Sequence, residues 1–365
     1  MNKALERIKN YVKKTPLLTS KKLNEELGAE IFFKMENQQV TNSFKARGAF
    51  NAVLSYKERH GKFPEKIVVQ SSGNHAQAAA YVGKTFGIPV LVYMITKASP
   101  LKIKAVRDLG AEVVLLEKRS DVNRAAHEKQ KEGYVLIHPS ADADIIAGQA
   151  TSALEALSEI GEVDLIFAPC GGGGLIAGSF LAAQSLSPKA KVLACEPANA
   201  NDVARSFRAG EILSFDDTPD TIADGARTLA TSEICFHYIK QLAGVLEISE
   251  EEILHWQQRL TTELNPTPSS ELPHSRYLSQ DYEGSTLRFR SSPYDGYAVG
   301  AVLGSSLHNP GLAQDWGNSD NGVGLKQKIE PTSALAIAGV KQYLQKNPPA
   351  KKPRILVIIS GGNVD

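Results

Sequence analysis

Cysteine is scarce in this chain of 365 residues: Cys170, Cys195 and Cys235 are the three, an odd number at wide spacing. That count argues against a disulfide framework and suits a reduced compartment. Charge of one sign is lacking too. With 41 Lys+Arg against 40 Asp+Glu the formal net charge is +1, which removes the electrostatic reason to expect a nucleic acid or an acidic membrane surface as partner. Long hydrophobic runs are absent. Stretches such as 90–95 are strand-sized, far short of the ~18 apolar residues of a membrane span. The first residues, MNKALERIKNYVKK, are charged and amphipathic without the apolar core of a secretory signal. A soluble, cytoplasmic protein is expected.

What is present is an ordinary globular composition, 42% hydrophobic and 22% charged, in a chain long enough for two domains. Ser20 can cap a short helix that ends near Gly28, and a strand follows over 30–35. Short β-rich runs at 66–70, 89–95 and 111–116 then alternate with apolar residues at helical spacing over 76–86 and 101–109. The rhythm resumes at 163–168, 175–185, 191–195 and 253–264, and closes with a helix at 332–344 and a strand at 354–359. Strand, helix, strand in this order predicts an α/β fold of two doubly wound parallel sheets. The division expected is a small domain, 66–143, set within a large one made of 1–65 and 144–365. Residues 265–324 break the rhythm: 13 of these 60 are Gly or Pro, against 47 of 365 for the whole chain. An insertion is the natural reading. Its Tyr277, Tyr282, Phe289, Tyr294, Tyr297 and Trp316 leave open a surface excursion, a lid or a partner-binding segment.

Four short motifs fall at loops beside predicted strands, where parallel sheets build sites. In Asn42-Ser43-Phe44-Lys45-Ala46-Arg47-Gly48 a lysine opens a helix, a position that disfavours a cation and so favours the neutral, nucleophilic amine. Ser71-Ser72-Gly73-Asn74-His75-Ala76-Gln77 follows a strand and starts an Ala-rich helix, a loop suited to a carboxylate or phosphate. Gly171, Gly172, Gly173 and Gly174 cost backbone entropy and make sense where main chain must approach an anion closely. A dinucleotide site is the rival there, and Glu196 does fall 22 residues after Gly174. Ser360-Gly361-Gly362-Asn363 ends the last strand.

Together with Ile222-Ala223-Asp224-Gly225 and Glu330-Pro331-Thr332, these motifs occur in the order found in fold-type II pyridoxal-phosphate enzymes. The chain resembles the serine/threonine ammonia-lyase (dehydratase) and serine racemase branch of that family. Lys45-Ala46-Arg47 and Ser-Gly-Asn-His separate it from the cysteine-synthase branch. The resemblance implies that Lys45 bonds covalently to pyridoxal 5′-phosphate and that Asn74 hydrogen-bonds the cofactor's 3′-oxygen. Gly171 to Gly174 would hold its phosphate, Phe44 and Gly225 would flank its ring, and Ser360 would meet the ring nitrogen. Ser71, Ser72, His75 and Arg124 would bind the amino-acid substrate, with Ser72 also catalytic. A divalent ion, Mg²⁺, Ca²⁺ or Mn²⁺, would be held by Glu196, the Ala200 carbonyl and Asp202, hard oxygen ligands unsuited to zinc. The activity implied is β-elimination of L-threonine or L-serine to 2-oxobutanoate or pyruvate and ammonia. Serine racemase and 3-hydroxyaspartate ammonia-lyase are alternatives within the branch, and a cofactor- or amino-acid-binding pseudoenzyme is one outside it. A homodimer follows from the family's habit. Because the chain stops at Asp365, no isoleucine feedback is expected.

Overall fold

Runs of β-branched residues, each followed by a helix with one buried face, build two sheets in a computed structural model of the protein, which describes residues 1–264 and 328–364. The insertion expected over 265–324 lies outside the described residues. The chain opens with helix α1 (Asn2–Ile8), strand β1 (Leu17–Leu18), helix α2 (Lys21–Glu26), strand β2 (Glu30–Met35) and helix α3 (Lys45–His60). Next come β3 (Ile67–Gln70), α4 (Asn74–Phe86), β4 (Val90–Ile95), α5 (Pro100–Asp108), β5 (Glu112–Leu116), α6 (Arg119–Lys131) and β6 (Val135–Leu136). Then α7 (Ala143–Ile160), β7 (Leu165–Pro169), α8 (Gly174–Leu186), β8 (Lys191–Pro197), α9 (Asp202–Ala209) and α10 (Glu233–Ile239) follow. The described chain ends with β9 (Gly244–Ile248), α11 (Glu250–Glu263), α12 (Pro331–Lys346) and β10 (Arg354–Ile359). The predicted cap of α2 forms, with the Ser20 hydroxyl accepting from the Leu23 N–H at 3.3 Å.

The larger sheet has the order β1-β2-β10-β7-β8-β9 and the smaller β5-β4-β3-β6. All pairings are parallel except β1 with β2. That antiparallel edge was not expected, because two residues carry no readable period. β10, last in the described chain, lies in the middle of its sheet, in register with β2 from Arg354↔Glu30 to Ile359↔Met35 and with β7 from Ile355↔Leu165 to Val357↔Phe167. Its five apolar residues are therefore fully buried, which explains an unbroken hydrophobic run with no alternation.

The small sheet comes wholly from residues 67–136, yet its hydrophobic layer also takes Ile8, Phe50 and Val53 from α1 and α3. Phe50 stacks on Tyr11 at 5.3 Å and meets the edges of Tyr81 and Phe86, so packing does not divide at residue 66. Removing that ring would cost about 3–5 kcal/mol. Helix α3, which begins with Lys45, lies tight against α7. A Cβ on Gly148 would come within 2.6 Å of the Arg47 carbonyl and of the Gly48 Cα, so only glycine permits this crossing. Among the described residues no helix is long and apolar enough to cross a membrane.

Candidate active site

Parallel strands place their C-terminal loops on one edge of a sheet, and here that ordering gathers the four motifs. The loop after β2 leads into α3 and is held by the loop after β10. Phe44 N–H donates to the Ser360 carbonyl at 3.1 Å, Gly362 N–H to the Asn42 carbonyl at 3.0 Å, and the Asn363 amide to the Thr41 carbonyl at 2.9 Å. Those bonds keep Thr41 and Asn42 at φ 59° and 52°, left-handed values that a β-branched threonine rarely adopts. Phe44, Lys45, Ser71 to His75, Gly171 to Gly174, Gly225 and Ser360 all line one cleft of about 700 Å³.

Lys45 Nζ donates to the Pro139 carbonyl at 2.9 Å and stands 5.0 Å from the centre of the Phe44 ring. Burial, only partly offset by Cys235 and Glu330, brings its pKa down to about 8. The lowering foreseen from the helix start is thus present, with desolvation as its main cause. The glycine run leaves β7 and opens α8, whose cap Gly173 has φ 92°; a side chain there would also collide with Cys235. The N–H groups of Gly171 to Gly174 find no main-chain acceptor among the described residues, which makes the loop a cradle of free donors beside a cavity. Gly225 N–H donates to Thr332 Oγ1 at 3.0 Å.

Glu330, to which sequence reasoning gave no role, joins two of these motifs. Its Oε2 accepts from Asn74 Nδ2 at 2.8 Å and its Oε1 from Ser360 Oγ at 3.2 Å. Burial, then the nearby Asp224, push its pKa up to about 7 against the opposing hydrogen bonds. Asn74 Oδ1 in turn accepts from Asn363 Nδ2 at 2.9 Å. The glutamate preceding the proline that starts α12 was the only signal available in sequence.

Comparison with known proteins agrees with this geometry. Residues 8–272 match the family model described as pyridoxal-phosphate dependent enzyme. The chain belongs to that family. It is 42% identical to the L-threo-3-hydroxyaspartate ammonia-lyase of Saccharomyces cerevisiae, over 72% of this chain and 82% of the relative. It is 41% identical to the serine racemase of Schizosaccharomyces pombe, over 99% of this chain and 92% of the relative. The solved structure of a threonine deaminase from T.th. superposes with a TM-score of 0.76 at 32% identity, covering 100% of this chain and 97% of that one. The fold is therefore the α/β, tryptophan synthase β-like arrangement of fold-type II enzymes.

As a pyridoxal-phosphate dependent enzyme the chain has parts that fit its cofactor: the free N–H groups of the glycine loop for a phosphate, an amine at Lys45, and polar side chains at Asn74 and Ser360. Around them, Ser71 Oγ accepts from Gly73 N–H at 3.3 Å and Ser72 Oγ from Ile95 N–H at 3.1 Å. His75 is buried with Nε2 donating to the Ile137 carbonyl at 2.8 Å. Burial first, then Lys45, bring its pKa down to about 3, so the ring is neutral and supplies no charge for a carboxylate.

Arg124 needs correction. It points to solvent and pairs with Asp121 at 2.8 Å, away from the cleft. On α6 the residues that reach the cleft are Arg119 and Asn123, four apart and so on one face, while residue 124 lies about 100° further round. Of the expected metal ligands, Glu196 and Asp202 lie close enough to interact. Glu196 and Asp202 are both buried, Glu196 accepting from Ala204 N–H at 2.6 Å and Val203 N–H at 3.3 Å. Burial, then Asp202, push the Glu196 carboxyl up to about 9, and burial pushes Asp202 up to about 7. Asp202 Oδ1 takes a bond from Thr228 Oγ1 at 3.3 Å, but its Oδ2 is buried without a partner among the described residues. Among those residues no three His, Cys, Asp or Glu side chains gather as a metal group, so a site here needs the Ala200 carbonyl as well.

Proposed function

We propose that the protein is a pyridoxal-phosphate dependent ammonia-lyase that removes water from a β-hydroxy amino acid and yields a 2-oxo acid and ammonia. The observation that carries this reading is the Lys45 amine, held near neutral pKa on one wall of a cleft that also contains the glycine cradle and the Ser71–His75 loop. Bound pyridoxal phosphate supplies the electron sink for a carbanion at Cα. The N–H groups of Gly171 to Gly174 would hold its phosphate, and Phe44 and Gly225 would shield its ring from water. Ser360, whose hydroxyl donates to Glu330 here, would meet the ring nitrogen as a neutral group, and a neutral partner would leave the sink weaker than an aspartate would and favour prompt elimination. The loop from Ser71 to His75 grips the substrate carboxylate. Lys45 Nζ takes the Cα proton, the β C–O bond breaks, and the Lys45 ammonium so formed gives its proton to the leaving hydroxide, which departs as water and returns the neutral amine. The enamine released hydrolyses to the 2-oxo acid and ammonia.

A second reading, racemisation, draws on Ser72. Its oxygen accepts from Ile95 N–H, so its own proton is free to point into the cleft and be exchanged at the opposite face of Cα. For the cation site, the partnerless Asp202 Oδ2 beside Glu196 supports Mg²⁺, Ca²⁺ or Mn²⁺ held by those carboxylates and the Ala200 carbonyl.

The test is an absorbance spectrum of the purified holoenzyme, followed by L-threonine, L-serine and 3-hydroxyaspartate in the same cuvette. A cofactor band lost in Lys45→Ala, with 2-oxo acid from at least one substrate, is expected. A band with no 2-oxo acid but D-serine formed from L-serine would favour the racemase. No band after added pyridoxal phosphate would overturn both.

A further inference from the structure

Part of the cleft lining beside the glycine cradle carries charge that the reaction above does not use. Arg119 opens α6 and Asn123 sits one turn on; Arg227 and Thr228 follow the short helical turn Asp224–Ala226. Arg119 Nη2 donates to the Arg227 carbonyl at 2.9 Å, and Arg227 Nε to the Thr221 carbonyl at 2.7 Å. Both guanidiniums thus use part of their donors on neutral main chain and have donors left over. The two acids that line the cleft are otherwise engaged: Asp224 pairs with Lys102, and Glu330 accepts from Asn74 and Ser360. Among the described residues no carboxylate offsets Arg119. Burial and then the neighbouring Arg227 hold its pKa below the ordinary arginine value, the mark of a cation lacking a counter-ion.

We infer that this pair reads a second carboxylate on the substrate, with Arg119 as the specificity-determining residue, so that the preferred substrate is a dicarboxylic β-hydroxy amino acid. The inference rests on the ammonia-lyase reading above for its chemistry, and on the unpaired guanidiniums for its choice of substrate. The hydrogen of serine or the methyl of threonine would leave these donors facing nothing, at a cost the site bears with every turnover. A carboxylate on the β-carbon would satisfy two donors of a planar guanidinium at once and relieve the Arg119–Arg227 repulsion. The carboxylate on Cα is provided for separately by the Ser71–His75 loop, and the cofactor phosphate by the glycine N–H groups, so the arginines are left for a third anionic group.

The test compares wild-type holoenzyme with Arg119→Gln and Arg119→Lys. The wild type is expected to favour L-threo-3-hydroxyaspartate over L-serine in kcat/KM. That ratio should fall about 10- to 100-fold in R119Q, the loss expected for one charge-assisted contact, and recover in part in R119K. In parallel, malonate and acetate are titrated into each holoenzyme, read by cofactor absorbance and by thermal shift. Malonate should bind wild type more tightly than acetate and lose that advantage in R119Q. Equal loss on both amino acids together with weaker retention of the cofactor would assign Arg119 to the cofactor phosphate and overturn the inference. So would malonate binding no tighter than acetate in the wild type. If none of the amino acids yields 2-oxo acid, the ammonia-lyase reading fails by itself, and the malonate titration still decides the role of Arg119.

Discussion

Two buried clusters of ionisable side chains in this protein behave as opposites. Beneath α3, Arg47 pairs with Glu36 at 2.7 Å and with Glu155 at 2.7 Å, and Lys34 pairs with Glu155 at 2.7 Å, all four side chains at most 7% exposed. Thr15 Oγ1 donates to Glu36 Oε1 and Lys34 Nζ to the Thr15 carbonyl, so two cations and two anions are closed by hydrogen bonds. Burial opposes ionisation of Glu36, but Arg47 outweighs it and holds the carboxyl below its ordinary value. Near the end of β8, Glu196 and Asp202 are two acids with no ion-pair partner among the described residues, and both are pushed upward. The neutral cluster is complete and supports the helix that carries Lys45. The uncompensated one is complete only with something these residues do not supply, and Arg119 repeats the pattern with the sign reversed.

The largest effect should come from breaking the complete cluster. Arg47→Met leaves Glu36 and Glu155 buried without their main partner and should destabilise the protein by about 3–5 kcal/mol, read by denaturant unfolding. An unchanged midpoint would show that the network is not structural. Completing the other cluster comes next. Mg²⁺, Ca²⁺ or Mn²⁺ at about 100 times its Kd should stabilise the wild type by about 2.7 kcal/mol in thermal unfolding, and Asp202→Asn should abolish the response. A shift of equal size in both proteins would place the ion elsewhere.

Lys45 is an intermediate case, a cation whose nearest acids only partly offset burial. Its neutral amine is the reactive form, so the rate at which apoprotein captures pyridoxal phosphate should rise roughly tenfold from pH 7 to a plateau above its pKa of about 8. A flat profile over that range would mean the amine is already neutral at pH 7. The smallest effect tests the sign of the comparison. In EDTA, Asp202→Asn removes a buried carboxyl whose ionisation is opposed by burial and should lie within about 1 kcal/mol of wild type, on the stabilising side. Glu36→Gln should destabilise under the same conditions, and matching signs would sink the distinction.

Much of the site was legible because it is written in contiguous residues. Lys45, the Ser71–His75 loop, Gly171 to Gly174 and Ser360 each follow a strand, and parallel strands present their ends together. Arg124 was misplaced because one position on a helix turns a side chain by about 100°, a shift that the resemblance of short motifs does not register. Glu330 stayed silent since its partners Asn74 and Ser360 are 256 and 30 residues away. β1 escaped notice because a two-residue strand shows neither period nor length.

The sequence by itself determined the elements and their kind: which runs pair as buried parallel strands, where helices start, and which loops expose main-chain donors. Those properties depend on neighbours a few residues apart. Only the tertiary structure decided which charges are paired and which are left over, because that balance is set between residues far apart in the chain, as between Arg47 and Glu155 or Arg119 and Arg227. A buried charge is structural or functional according to whether a partner arrives from the far end of the chain, and no local pattern carries that information.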